Sequence, residues 1–400
     1  MVYTRFRALP LGRKNAFLWM RAILAAVILS GGLLAASLPQ VRGLHPEAEI
    51  MERAAQRMLK AETLILARRE MLGYPVDPSM DPYRTGMIGL ESSELTTTIG
   101  DLAAKRTSTN KAFAALCVRY FSTLGLKRGD RIAVGASGSF PSILLAVLSA
   151  CAETGVEPVV ITSIGASEFG ANIPGLSNAE MVAIGKEAGL WPWLPSALSP
   201  GGDSDLGVSA FFSLEPSDAL RRYAVRLAAQ MDIPLIMESS LDRSVAERRR
   251  IYEKAGTIQL FVNIGGANAN VGNNSASLRL PAGLVQPEDA QRIFSRRGLS
   301  PSTESYSENA QGSEQPISKW PGGLAGAYLA EGVPVIHFLY IKGLAAREGI
   351  PIDADPRAAL PAAIVQASSP SKPVLILCLL AAVGVLAFPV PKRRRRGSLR

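Results

Sequence analysis

Charge is concentrated at the two ends of this 400-residue chain, and both ends are also apolar, a pairing that limits what the ends can become before anything else is read. Residues 1–40 carry five cations (Arg5, Arg7, Arg13, Lys14 and Arg21) and no acid; residues 373–400 carry six (Lys392, Arg393, Arg394, Arg395, Arg396 and Arg400), again with no acid. Setting those eleven aside leaves 32 of the 43 Lys and Arg against 34 Asp and Glu, so the body has a formal charge of about −2 and the net +9 describes the termini. A near-neutral body argues against a broad polyanion-binding surface, so any contact with a charged polymer is local.

The run Ala22 to Leu38 is uncharged and apolar, and Val374 to Val390 is a second such run. Each is near the lower limit of the roughly 17–25 residues that a spanning helix needs. Residues 22–38 and 373–390 are therefore candidate transmembrane segments. Cations beside a span tend to stay in the cytoplasm, which predicts cytoplasmic basic ends (1–21 and 391–400), a cell-membrane location and an extracytoplasmic body. The first segment has a second reading as a cleaved signal peptide, because Ala35-Ala36-Ser37 offers small residues for cleavage. A wall-sorting signal is disfavoured at the other end, since Leu360-Pro361-Ala362-Ala363-Ile364 lacks the Thr-Gly it would need.

Residues 46–72 read as one helix, with Ile50, Ala54, Met58, Leu59, Leu64, Ile65 and Leu66 forming an approximate stripe. It is expected as a stalk between the membrane and a globular domain starting near Glu91, separated by Gly73-Tyr74-Pro75 and a loop with Pro78 and Pro82. Beyond it, short apolar runs alternate with helices: 131–135, 155–161, 232–237, 258–263 and 332–337. Buried β-branched runs between helices imply an α/β fold, with a mostly parallel sheet covered on both faces, over residues 91–350 in one or two subdomains. The polar segment 298–318 is expected as an exposed loop or lid, and 351–372 as a Pro/Ala/Ser linker. Cys117 and Cys151 fall in predicted helices, as buried thiols or as one disulfide; Cys378 lies in the tail span.

Three loops with small residues follow predicted strands. The first is Gly135-Ala136-Ser137-Gly138-Ser139-Phe140-Pro141, the second Thr162-Ser163-Ile164-Gly165-Ala166-Ser167, and the third begins Asn263-Ile264-Gly265-Gly266. Small residues between a strand and a helix turn several backbone N–H groups toward one point, which suits a phosphate or a carboxylate; the bland alternative is a tight turn that caps the helix. Neither the dinucleotide fingerprint nor the P-loop pattern is present, so a nucleotide is disfavoured, and no Cys/His spacing suggests a metal. No cofactor and no nucleic acid is expected. In Lys105-Arg106-Thr107-Ser108-Thr109-Asn110, two cations precede hydroxyls at a predicted helix start; they are either solvated beside an N-cap or a clamp for an anion. The candidate ligand-binding residues are Lys105, Arg106, Gly135, Ser137, Gly138, Ser139, Ser163, Asn263, Gly265 and Gly266.

A hydrolase reading draws on Ser137 or Ser139 as nucleophile, Glu238 as orienting acid and His337 as base, in the order Ser, acid, His. Only two histidines exist and His45 precedes the domain, so His337 is the one candidate base. Against it, Ser139 stands where a nucleophile elbow wants glycine.

Together, Ala104-Lys105-Arg106-Thr107-Ser108-Thr109-Asn110, Val134-Gly135-Ala136-Ser137-Gly138-Ser139-Phe140-Pro141, Ser163-Ile164-Gly165-Ala166-Ser167 and Asn263-Ile264-Gly265-Gly266, behind a membrane segment, resemble the poly-γ-glutamate system protein family. The resemblance covers roughly 45–350. It implies a role in synthesis or export of an anionic γ-linked polymer at the envelope, with that polymer or another small anion as ligand and the membrane and the synthase or export proteins as partners. It carries over no catalytic residue, and the C-terminal span is not assigned to the family pattern. The alternative function is an extracytoplasmic serine hydrolase or transferase acting on γ-glutamyl or related amide bonds.

Overall fold

The computed structural model describes residues 13–37, 41–209, 213–274, 276–295, 306–308, 314–316, 320–369 and 372–387. Two compact units result, residues 46–365 and a second made from residues 1–45 with 366–400.

The larger unit is built on a six-stranded sheet: β1 (Arg131–Ala136), β2 (Glu157–Ser163), β3 (Ala197–Ser199), β4 (Ile258–Ile264), β5 (Gly283–Val285) and β6 (Val335–Phe338). Their order across the sheet is β5-β6-β4-β1-β2-β3, and all pairs are parallel except β5 with β6. The chain moves from β1 toward β2 and β3, then returns to place β4 on the other side of β1. That reversal opens a crevice at the C-terminal ends of β1 and β4, where open α/β sheets hold ligands.

Side chains alternate across the sheet with the period of two that a strand imposes. Ile132 and Val134 of β1, Val262 and Ile264 of β4, and Ile336 and Phe338 of β6 enter one core; Ala133, Phe261 and Val335 enter the other. The first core is roofed by α1 (Ala48–Met71), α3 (Ala112–Thr123) and α4 (Pro141–Thr154). The second lies under α7 (Leu241–Ala255) and α8 (Gly323–Ala330), while α5 (Asn178–Glu187) and α6 (Asp218–Met231) contribute to a third cluster with Leu198. Two shorter helices, α2 (Leu102–Ser108) and α9 (Ile341–Glu348), stand near the C-terminal ends of the strands. Helix α4 has Pro141 in its first turn, where a missing N–H costs nothing, and ends on the left-handed Gly155 (φ 78°). It is apolar on nearly every side because α1 and α3 cover the face that the sheet does not.

The helix expected at 46–72 is present, but it is not a stalk. Met51, Ala54, Met58, Ala61 and Ile65, at helical spacing, are buried in the first core, so the compact unit starts at Pro46 and not near Glu91. Residues 351–365, expected as linker, also belong to this unit; Ile350 and Ile364 are buried. The strand expected at 232–237 is reduced to a bridge from Leu235 to Leu198, and the edge position is taken by β3, a run too short to stand out in the sequence. Cys117 and Cys151 are free and buried, and burial pushes both thiols well up.

In the smaller unit, helices Arg13–Ser37 and Lys372–Ala387 pair, and strands Val41–Leu44 and Gln366–Ser369 are antiparallel. Arg21 reaches the carbonyls of Val385 and Leu386. Many large apolar side chains here are exposed, among them Trp19, Ile23, Leu33, Leu377 and Leu380. Among the described residues, no helix is long and apolar enough to cross a membrane. Of the polar segment 298–318, only Tyr306–Glu308 and Glu314–Pro316 are described, as an antiparallel pair; the rest, like the basic residues 1–12 and 391–400, lies outside the described residues.

Candidate functional site

A cleft of about 640 Å³ opens at the C-terminal ends of the parallel strands. Its walls come from the segments that follow β1 (Ser137, Ser139, Phe140), β2 (Gly165, Ser167), β3 (Gly201, Gly202, Asp203), β4 (Gly266, Ala267, Asn268) and β6 (Leu339, Tyr340, Lys342). Residues Thr97–Asp101 and Ala104-Lys105 close the remaining side.

These loops are tied to one another by main-chain bonds. Ser137 N donates to Ile264 O at 2.9 Å, Gly138 N to Gly165 O at 3.2 Å, and Ala171 N to Gly138 O at 2.7 Å. Asn178 at the start of α5 donates its Nδ2 to Ser137 O at 2.8 Å. The glycines are where the chain must pass close to itself. Gly265 has φ 81°, and a Cβ there would collide with Ser137 Oγ; a Cβ on Gly138 would stand 2.7 Å from that of Ala166.

Lys105 projects from α2 into this junction and is 3% exposed. Its Nζ donates to Ser139 O, lies 2.5 Å from Ser167 Oγ, and stands 4.3 Å from the centroid of the Phe140 ring. Among the described residues it makes no ion pair within 4.0 Å. Burial without a paired carboxylate lowers its pKa to about 7, against a weaker upward pull from Asp101 and Glu168. Asp101 caps α2, accepting from Ala104 N at 3.1 Å, and its bond from Lys342 holds its carboxyl below the usual range.

Several predicted site residues meet here: Lys105, Ser137, Ser139, Ser163 and Gly266 line the cleft. Gly135, Gly138 and Gly265 do not line it but let its loops approach. Arg106 points elsewhere, with Nε 2.9 Å from Asp353, so the expected Lys-Arg clamp does not form. Lys105 to Ser108 end α2 rather than start a helix; the cap is Asp101, and Thr107 and Ser108 bond back to the carbonyls of Ala103 and Lys105.

The serine, acid and histidine of the predicted triad are not brought together. His337 shares a sheet face with Val335, in register with Asn263, and is fully buried away from the cleft lining. Asn263 Nδ2 donates to both Gly265 O and His337 Nδ1 at 2.9 Å, which leaves the ring proton on Nε2; burial lowers the histidine pKa to about 4. Glu238 pairs with Arg243 at 3.0 Å and is not part of the lining. Ser137 Oγ accepts from Ser139 N at 3.3 Å, and Ser139 Oγ accepts from Ser167 N at 3.2 Å.

The lining residues that sequence reasoning did not single out are Ser167, named there only as the end of the second loop, Thr97–Asp101, Gly201–Asp203 and Lys342. Asp101 carried a local signal as a helix N-cap, three residues before a backbone donor. The others had no signal of their own as site residues, because their place depends on β3 ending beside β2, β6 beside β4, and Thr96–Thr98 pairing with Ala166–Ser167. No family model, curated protein or solved structure matches the chain.

Proposed function

We propose that this protein is a membrane-anchored accessory protein of poly-γ-glutamate synthesis or export, and that its cleft holds a carboxylate of that polymer. The observation that carries the ligand class is Lys105, a buried cation facing a cleft with no carboxylate at ion-pair distance among the described residues. A buried ammonium without a counter-charge gives up its proton easily; an entering carboxylate supplies the missing charge and draws the proton back. The near-neutral body confines recognition to this point. The place in the polymer system is supported by the motif resemblance, and anchoring by the hydropathy of residues 22–38 and 374–390.

Titration calorimetry of the full-length protein with short γ-linked glutamate oligomers, in buffers of different ionisation enthalpy, tests the ligand. Binding should take up close to one proton per oligomer at pH 8, and affinity should fall about tenfold per pH unit well above 7. Absence of binding, or binding with no proton uptake, removes Lys105 from the reading. Deleting the gene and measuring extracellular poly-γ-glutamate tests the biological role, which unchanged polymer would overturn.

A further inference from the structure

The same lysine has a second partner that a simple anion site does not require. Ser167 Oγ lines the cleft 2.5 Å from Lys105 Nζ, and each side chain is within a few per cent of full burial. The serine is held rigidly: it sits in the two-residue strand Ala166–Ser167, paired in parallel with Thr96–Thr98. Its N donates to Ser139 Oγ, and its O accepts from Gly170 N at 3.0 Å. Lysine in turn is oriented by Ser139 O and the Phe140 ring. A nucleophile in hydrogen-bond contact with a base, and a base oriented by a third group, is the arrangement that activates a serine. Ser137 and Ser139 lack it, since among the described residues no titratable side chain bonds to either Oγ.

We propose that Ser167 and Lys105 form a nucleophile–base pair that cleaves or transfers the acyl group of a γ-glutamyl amide. The substrate class rests on the reading of the cleft as a carboxylate site. Neutral Lys105 takes the Ser167 Oγ–H proton as Oγ bonds to the amide carbonyl carbon, and the carbonyl π pair moves to oxygen. Its return breaks the C–N bond, and Lys105 passes the proton to the leaving nitrogen, which departs as an amine. Water, or the amine of a second chain end, then attacks the Ser167 ester. Its proton goes to Lys105 and on to Ser167 Oγ as the C–O bond breaks. With water, the product is a carboxylate, the ligand that protonated Lys105 holds, so hydrolysis is product-inhibited.

Lys105 must be neutral to act, and the charged groups near it are Asp101, with its partner Lys342, Glu168, and Asp203 across the cleft. The test treats the full-length protein with a fluorophosphonate, locates the adduct by mass spectrometry, and measures glutamate-oligomer binding in parallel. Ser167 should carry the adduct, at a rate that rises with pH to a plateau above about 7. Lys105→Arg keeps a cation but cannot act as a base, so it should slow labelling by about 10²–10⁴-fold. Lys105→Met, which removes the charge from the buried site, should also leave Ser167 unlabelled, in protein that melts no lower than the wild type near pH 7. An unlabelled Ser167 in protein that binds oligomers overturns the dyad and leaves the carboxylate site standing, as does Lys105→Arg labelling at the wild-type rate. Labelling at Ser167 without oligomer binding does the reverse.

Discussion

Arg248, from α7, and Lys105, from α2, are both buried cations close to strand ends of one sheet, and they differ in what surrounds them. Arg248 Nη2 bonds Asp205 Oδ2 at 2.8 Å and Ser199 Oγ at 2.6 Å, and the same carboxylate accepts from Ser199 and Ser244. Charge meets counter-charge there among hydroxyls, while Arg248 Nη1 makes no hydrogen bond among the described residues. A guanidinium cannot shed its proton to escape burial, so it must be neutralised in place. Among the described residues Lys105 has only a carbonyl, a hydroxyl and an aromatic face within bonding reach, and one side of it opens on a cleft. An amine can discharge, so the fold tolerates it without a carboxylate. The contrast separates a charge that holds structure together from one left available to a ligand.

The largest effect that would sharpen this contrast is expected from Asp205→Ala. It strands a guanidinium with no exposure, and unfolding by urea should show a loss of about 3–5 kcal/mol. A loss below about 1 kcal/mol would mean that the two sites are not different in kind.

Lys105 should show itself through pH. Its folded pKa of about 7 lies below its ordinary 10.5, so between these values the unfolded chain binds more protons than the native one and stability rises with pH. Below pH 7 both forms are protonated and this contribution is flat. The urea midpoint of the wild type should therefore climb from pH 7 to 10 relative to Lys105→Met, and parallel curves would contradict the unpaired state.

Gly265→Ala asks whether cleft geometry depends on close loop approach. A methyl group at φ 81°, against Ser137 Oγ, should cost about 1–3 kcal/mol in thermal melts and weaken ligand binding with it. Smallest of all should be Arg243→Ala, which breaks the exposed pair to Glu238; a change within about 0.5 kcal/mol, with ligand binding intact, is expected. A large loss of binding would return Glu238 to the site.

Much of the fold was legible in the chain because its signals are local. Pro158 and Pro334 sit where helices end and strands begin, and β-branched runs after them could be buried only in a covered parallel sheet. What misled was context. The stripe of 46–72 is as compatible with a stalk as with a core helix, since periodicity states that a face is apolar and not what covers it. Leu235 looked like a strand by composition, yet it meets the sheet at a single bridge beside Leu198. His337 and Glu238 suited a triad in order along the chain, but strand alternation turned the histidine away from the cleft lining.

By itself the sequence determined the class of fold, the two apolar basic ends, and three of the loops that would meet at one sheet edge. Those follow from backbone propensity and hydropathy, which act over a few residues. Only the tertiary structure decided that Lys105 would be paired with no carboxylate among the described residues, that Arg106 would turn to Asp353, and that Ser167, 62 residues on, would be the hydroxyl in contact with the lysine. Those outcomes depend on strand order and helix packing, because burial and the distance between side chains remote in sequence set the charge state of a group and the partner it meets.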